Sequence, residues 1–139
     1  MGMRHPFWKF ALVEAVEAAF DLQDHDKVVE LLGEWERMRP VERTPFLEAH
    51  RERFVARLGA LRGETDAVEA GFARAADVFR ELQLPFYLAV SLLELGEVTG
   101  DEALLAEARE IFERLGAKPW LERLSAVPAA AARIVAEAT

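Results

Sequence analysis

Few residues of this chain have types and spacing that could do chemistry. Asp24-His25-Asp26 sets an imidazole between two carboxylates, groups that bind metal ions. Three consecutive residues of a turn or helix seldom converge on one ion, and no second His-rich cluster exists. The triplet therefore reads as a helix start, with Asp24 as an N-cap accepting backbone N–H bonds and the other charges solvated. His50, Arg51, Arg53 and Arg57 fall at helical spacing and form the only local basic stripe in a chain of net charge −8. One reading is a solvated face in which Glu48 and Glu52 pair with the arginines at i+3 to i+5. The other is a groove that reads an acidic partner, with Lys9, His50, Arg53, Arg57 and Phe86 as the contact residues. Ser91 and Ser125 are the only serines, and neither lies in a Gly-x-Ser-x-Gly turn. Phosphate loops, dinucleotide fingerprints and His-Glu-x-x-His are also missing. The reading is a chain with no catalytic, cofactor or metal residues, and not an enzyme.

Composition narrows the class further. Ala and Leu dominate, Glu and Arg supply the charge, and Asn is absent, a composition of helix formers. The acidic balance argues against nucleic acid, which needs a basic footprint. With no Cys there are no disulfides, thiolate metal sites or Cys nucleophile. No apolar run reaches the ~18 residues of a membrane span. No secretory signal pattern opens the chain, so a cytoplasmic location is expected. Met1-Gly2-Met3 reads as an added start, and the chain as a possible piece of something longer.

The elements follow from apolar spacing and breaks. Helix 1 is expected from about Pro6 to Leu22. Phe7, Trp8, Phe10, Leu12, Val13, Val16 and Phe20 make it apolar on more than one face. It is either a well-buried first helix or an edge that packs on another repeat or a second copy; Phe7, Trp8 and Phe10 are then the self-association residues. Helix 2 begins after Asp24 and buries Val28, Leu31, Leu32, Trp35 and Met38 before Arg39-Pro40 ends it. Thr44-Pro45 starts helix 3, with Phe46, Leu47, Phe54, Leu58 and Leu61 inside and Gly63 at its end. Asp66 and Glu69 have capping-box spacing before helix 4, which carries Val68, Phe72, Ala75, Phe79 and Leu82 on one face. Helix 5, from Pro85 to about Val98, is apolar enough to be sandwiched. Thr99-Gly100-Asp101 separates it from helix 6, and Gly116 closes that helix. Helix 7 begins at Pro119-Trp120, and a last helix runs from Pro128 to about Ala138.

These elements repeat. Phe79-Arg80-Glu81-Leu82 and Pro85-Phe86 return as Phe112-Glu113-Arg114-Leu115 and Pro119-Trp120, with a weaker copy at Trp35-Glu36-Arg37-Met38 and Pro45-Phe46. Ala-xxx-Phe-xx-Leu at 75, 79 and 82 recurs at 108, 112 and 115, an offset of 33. The prolines at 6, 45, 85 and 119 lie 39, 40 and 34 residues apart. Periods in this range mark helical-pair arrays. The expected fold is all-α, a right-handed tetratricopeptide-like solenoid of one domain over 1–139. Its repeats are about 6–44, 45–84 and 85–118, and its capping helices span 119–138.

The segment from Leu104 to Leu121, above all Pro119-Trp120-Leu121, resembles the last repeats of large bacterial signalling proteins. In that family, nucleotide-cyclase-like and signal-transduction ATPase domains precede a tetratricopeptide-like array. Phe79-Arg80-Glu81-Leu82 and Pro85-Phe86 match as well. The resemblance implies a sensor or partner-docking arm without either enzymatic activity, since neither domain is in this chain. The array departs from the tetratricopeptide consensus where an aromatic late in the first helix is replaced by Gly59 and by Leu92. The functional expectation is a non-catalytic protein–protein interaction module of a bacterial regulatory protein. Its partner is a protein, a peptide or another domain of the parent chain, held on the concave face. The alternative is self-association through helix 1, giving a homodimer.

Overall fold

The computed structural model describes residues 7–38, 44–64 and 66–127, with side chains from residue 11 onward. The chain is all-helical there, and no strand occurs among the described residues. In order the helices are α1 (Phe7–Asp21), α2 (His25–Glu36), α3 (Pro45–Leu61), α4 (Asp66–Glu81), α5 (Pro85–Thr99) and α6 (Glu102–Leu115), followed by α7 over 118–127. No helix among the described residues is long and apolar enough to cross a membrane.

Local chemistry sets the ends of these helices. Asp24 accepts from the Lys27 N–H at 3.1 Å, Thr44 from Leu47 at 3.3 Å, and Asp101 from Ala103 at 2.9 Å. Each satisfies a donor that the first helical turn leaves unpaired. Asp66, by contrast, is the first residue of α4 and a first-turn acid rather than its cap. Four helices end alike. Gln23, Gly63, Gln83 and Gly116 have φ of 58°, 78°, 59° and 68°. In each case the next residue's N–H reaches back to a carbonyl five residues earlier: Asp24 to Ala19, Glu64 to Gly59, Leu84 to Phe79 and Ala117 to Phe112. This Schellman geometry reverses the chain in two or three residues, so consecutive helices pack antiparallel.

Packing is local in sequence. Each helix contacts the next, and α1 with α3 and α3 with α5 also touch, so alternate helices adjoin. Several ion pairs also join alternate helices. Arg80 of α4 grips Glu107 of α6 at 2.7 and 3.1 Å, and Arg123 of α7 grips Glu97 of α5 at 2.6 and 2.8 Å.

The sequence repeat is also a repeat of geometry. Phe46 meets Phe79 edge-on, centroids 6.4 Å apart at 72°, and Phe86 meets Phe112 at 6.3 Å and 70°. The next aromatic closes each triangle. Tyr87 lies 5.6 Å from Phe46, and Trp120 lies 5.7 Å from Phe86. Ala75 and Ala108 are fully buried beside Phe79 and Phe112, so small residues admit the neighbouring helix where the ring fills the gap. Leu82 and Leu115 close the motif at 40 % and 47 % exposure. The expectation that Leu82 lies on the buried face is therefore corrected, and Leu61 at 57 % exposure is corrected likewise, because both stand at helix ends. Helix α5 is buried continuously from Leu88 to Gly96, as its composition requires. Glycine serves close approach at one point above all: a Cβ on Gly96 would lie 2.5 Å from Leu105 Cδ2 and 2.8 Å from its Cγ. In α1, Val13, Val16, Ala19 and Phe20 are buried. Pro6, Arg39-Pro40 and the expected helix from Pro128 lie outside the described residues, as do the side chains of Phe7, Trp8, Lys9 and Phe10.

Candidate functional site

The charged centre of the fold is built by alternate helices. Glu17 comes from α1, Arg53 and Arg57 from α3, and Glu94 from α5. Arg53 donates from Nη1 to Glu94 Oε1 at 2.7 Å and from Nη2 to Glu17 Oε1. Arg57 donates to Glu17 Oε2 at 3.2 Å and lies 3.9 Å from Glu94 Oε2. Arg53 and Glu94 are 1 % and 2 % exposed, Arg57 and Glu17 21 % and 23 %. Two carboxylates thus face two guanidiniums in a quartet of zero net charge. Burial alone would lower the Arg53 pKa, but Glu94 and Glu17 raise it overall. Burial likewise pushes the Glu17 carboxyl up, and Arg53 and Arg57 more than reverse this, so it titrates below the usual range.

His50 is packed into the first aromatic triangle, with ring centroids 4.5 Å from Tyr87, 4.7 Å from Phe46 and 4.8 Å from Phe79. Arg53 Nη2 lies 3.3 Å from its Nδ1. A guanidinium can only donate, so Nδ1 accepts and the neutral ring carries its proton on Nε2, which has no hydrogen-bond partner. Burial, and then the Arg53 charge, hold the His50 pKa down to about 2.

The basic stripe therefore does not face solvent. His50 and Arg53 are interior, and Arg53 and Arg57 pair with Glu17 and Glu94 across helices, not with Glu48 or Glu52 on their own helix. The physical reason is that α3 lies between α1 and α5, so its polar side meets two other helices instead of water. Arg51, also of the stripe, pairs with Glu36 of α2, and Glu52 pairs with Arg74 of α4. A reversal such as Arg53→Glu would gather three carboxylates in this interior, so it reports on folding rather than capture. Sequence reasoning missed Glu17 and Glu94. The signal for Glu94 was present: it is a lone charge within the apolar run Leu92-Leu93-Glu94-Leu95, which demands a buried partner. For Glu17 no comparable signal exists.

Two cavities flank the quartet. One, of about 220 Å³, is lined by Val13, Glu14, Glu17 and Asp21 of α1, Arg53 of α3, Phe86, Tyr87 and Val90 of α5, and Trp120 of α7. All these elements are odd-numbered. The other, of about 470 Å³, includes Arg57, Leu61, Phe72, Glu94, Glu97 and Arg123. Of the expected contact residues, Phe86 and Arg57 are both half-buried and on a cavity wall, Phe86 on the smaller cavity and Arg57, already paired with Glu17, on the larger; Lys9 has no described side chain. Elsewhere, Asp24 caps α2, Ser125 donates to the Leu121 carbonyl at 2.9 Å, and Ser91 is fully buried. Among the described residues no group of three His, Cys, Asp or Glu side chains gathers as a metal site. No protein-family model, curated protein or solved structure matches this chain.

Proposed function

We propose that this chain is a non-catalytic protein-interaction module of a bacterial regulatory protein. It is a right-handed, tetratricopeptide-like array whose odd-numbered helices form the concave, partner-facing side. The observation that carries this reading is the 220 Å³ cavity, whose walls come from α1, α3, α5 and α7 and from no even-numbered helix. A surface shared by four alternate helices suits an extended peptide or a protruding element of another domain. The ion pairs between alternate helices keep that surface rigid and so lower the entropy lost on docking.

The test is selection of a displayed peptide library on the folded chain, followed by mapping of the selected peptides by amide and indole NMR shifts. The expected outcome is binders that move resonances of Glu14, Tyr87, Val90 and Trp120. Binders that map to α2, α4 and α6 alone, or no binders at all, would sink the proposal.

A further inference from the structure

The docking reading leaves the partner's chemistry open, and the cavity between α1, α5 and α7 addresses it. Glu14, Glu17 and Asp21 lie at i, i+3 and i+7 on α1 and line one side. Phe86, Tyr87 and Trp120 supply aromatic walls opposite. Among the lining residues the three carboxylates face one guanidinium, that of Arg53. That guanidinium is already engaged by Glu17 and Glu94. Glu14 and Asp21 are exposed and have no ion-pair or hydrogen-bond partner among the described residues. Among the described residues the cavity therefore holds an excess of two negative charges beside aromatic rings.

We propose that this cavity receives an arginine side chain from a basic peptide segment of the partner, an inference that rests on the docking reading above. A planar guanidinium stacks on aromatic rings and takes carboxylate oxygens in a fork, which suits both walls at once. The volume argues for one side chain, because it is below the roughly 300–1,000 Å³ of pockets that enclose whole small molecules. Two further features agree. Asp21 is the last residue of α1, where the helix dipole disfavours an acid, so its own helix gives no reason for it. Burial raises the Tyr87 hydroxyl pKa above its usual 10.0, and Glu14 and Glu17 add to this against the opposing charge of Arg53, so both carboxylates act on this aromatic wall. Arg123 stands 5.4 Å from the Trp120 ring centre but is held bidentately by Glu97, and neither lines this cavity. An acidic peptide would meet Glu14 and Asp21 first.

The experiment titrates the intact chain with nonapeptides that are identical except for a central Arg, Gln, Leu or Glu, and follows the Glu14, Tyr87 and Trp120 resonances. The Arg peptide is expected to bind at least about tenfold more tightly than the Gln peptide, and to weaken as salt is raised. Glu14→Gln with Asp21→Asn should remove that tenfold preference, while the matched surface change Glu30→Gln with Glu34→Gln keeps it. Equal binding of the Arg, Gln and Leu peptides, or preference for Glu, overturns the arginine inference but leaves the docking surface standing. Equal loss in both double variants overturns it too, by making the preference a property of overall charge. If none of the peptides moves these resonances, the docking reading falls with it.

Discussion

Lowering the pH from about 7 to about 5 should destabilise this protein through one residue, His50. In the unfolded chain its imidazole takes up a proton near the usual 6.5; in the fold, burial and the Arg53 charge hold the pKa down to about 2. A folded pKa below the unfolded one means that stability is complete above about 6.5 and is lost as pH falls below it. Each pH unit below the unfolded value costs about 1.4 kcal/mol, so roughly 2 kcal/mol is lost between the two conditions. The structural cause is specific. Protonation would put a donor on Nδ1 opposite the guanidinium at 3.3 Å and a charge inside a cage of Phe46, Phe79 and Tyr87.

Urea unfolding at the two pH values reads this directly. With a slope of about 2 kcal/mol per molar urea, the midpoint should fall by about 1 M. The carboxyls of Glu17 and Glu107, whose pKa values are lowered from 4.5, act in the same direction but below this window. Their stabilising contribution is present above the unfolded value and declines as pH falls through it towards the lowered folded value. His50→Phe should abolish the drop between pH 7 and 5 whatever its effect on absolute stability, since the slope counts protons and not contacts. A wild type that loses nothing over this range, or a variant that loses as much, would refute the burial argument.

Three further predictions concern the backbone. Gly33 of α2 has open space where a Cβ would go, so Gly33→Ala should stabilise by about 0.5–1 kcal/mol through helix propensity. Gly96→Ala should instead cost about 1–3 kcal/mol, because its Cβ meets Leu105 at 2.5 Å. Denaturant midpoints of the pair check both, and the same sign for the two would contradict the close-packing account of α5 and α6. Gln83 holds φ 59° in the same turn geometry that Gly63 and Gly116 fill elsewhere. Gln83→Gly should raise stability by up to about 1 kcal/mol, the relieved strain exceeding the added unfolded-state entropy. A lower thermal midpoint would show that the Gln83 side chain contributes more than its backbone costs.

Helix positions were legible because they rest on local rules. Thr44-Pro45, Asp24 and Gly100-Asp101 act on their own first or last turns, and the Ala-xxx-Phe motif reports a packing contact that recurs in each copy. The turns at Gln23 and Gln83 were not legible, since glutamine gives no sign of a left-handed residue; only their likeness to the Gly63 and Gly116 turns does. The ends of the buried faces at Leu61 and Leu82 were misread, because periodicity carries no information about where a helix outruns its neighbour. The candidate site was misread for a related reason. Spacing places Arg53 and Arg57 on one side of α3 but not what stands opposite, and the groups opposite come from residues 36 and 41 positions away in sequence.

That misreading changes the sign of the proposed partner. Arg53 and Arg57 are the cations that would make this face attractive to acidic ligands. Glu17 and Glu94 neutralise them within the fold, and Arg53 is almost wholly out of water. A buried pair contributes little attraction at a distance, because its field is that of a compact multipole, while exposed single charges act over a Debye length of about 8 Å. What remains to steer a partner is Glu14 and Asp21, on the rim beside Phe86, Tyr87 and Trp120. A basic stripe read from sequence alone therefore points to an acidic ligand. Once its internal counter-charges are placed, the same surface points to a basic one.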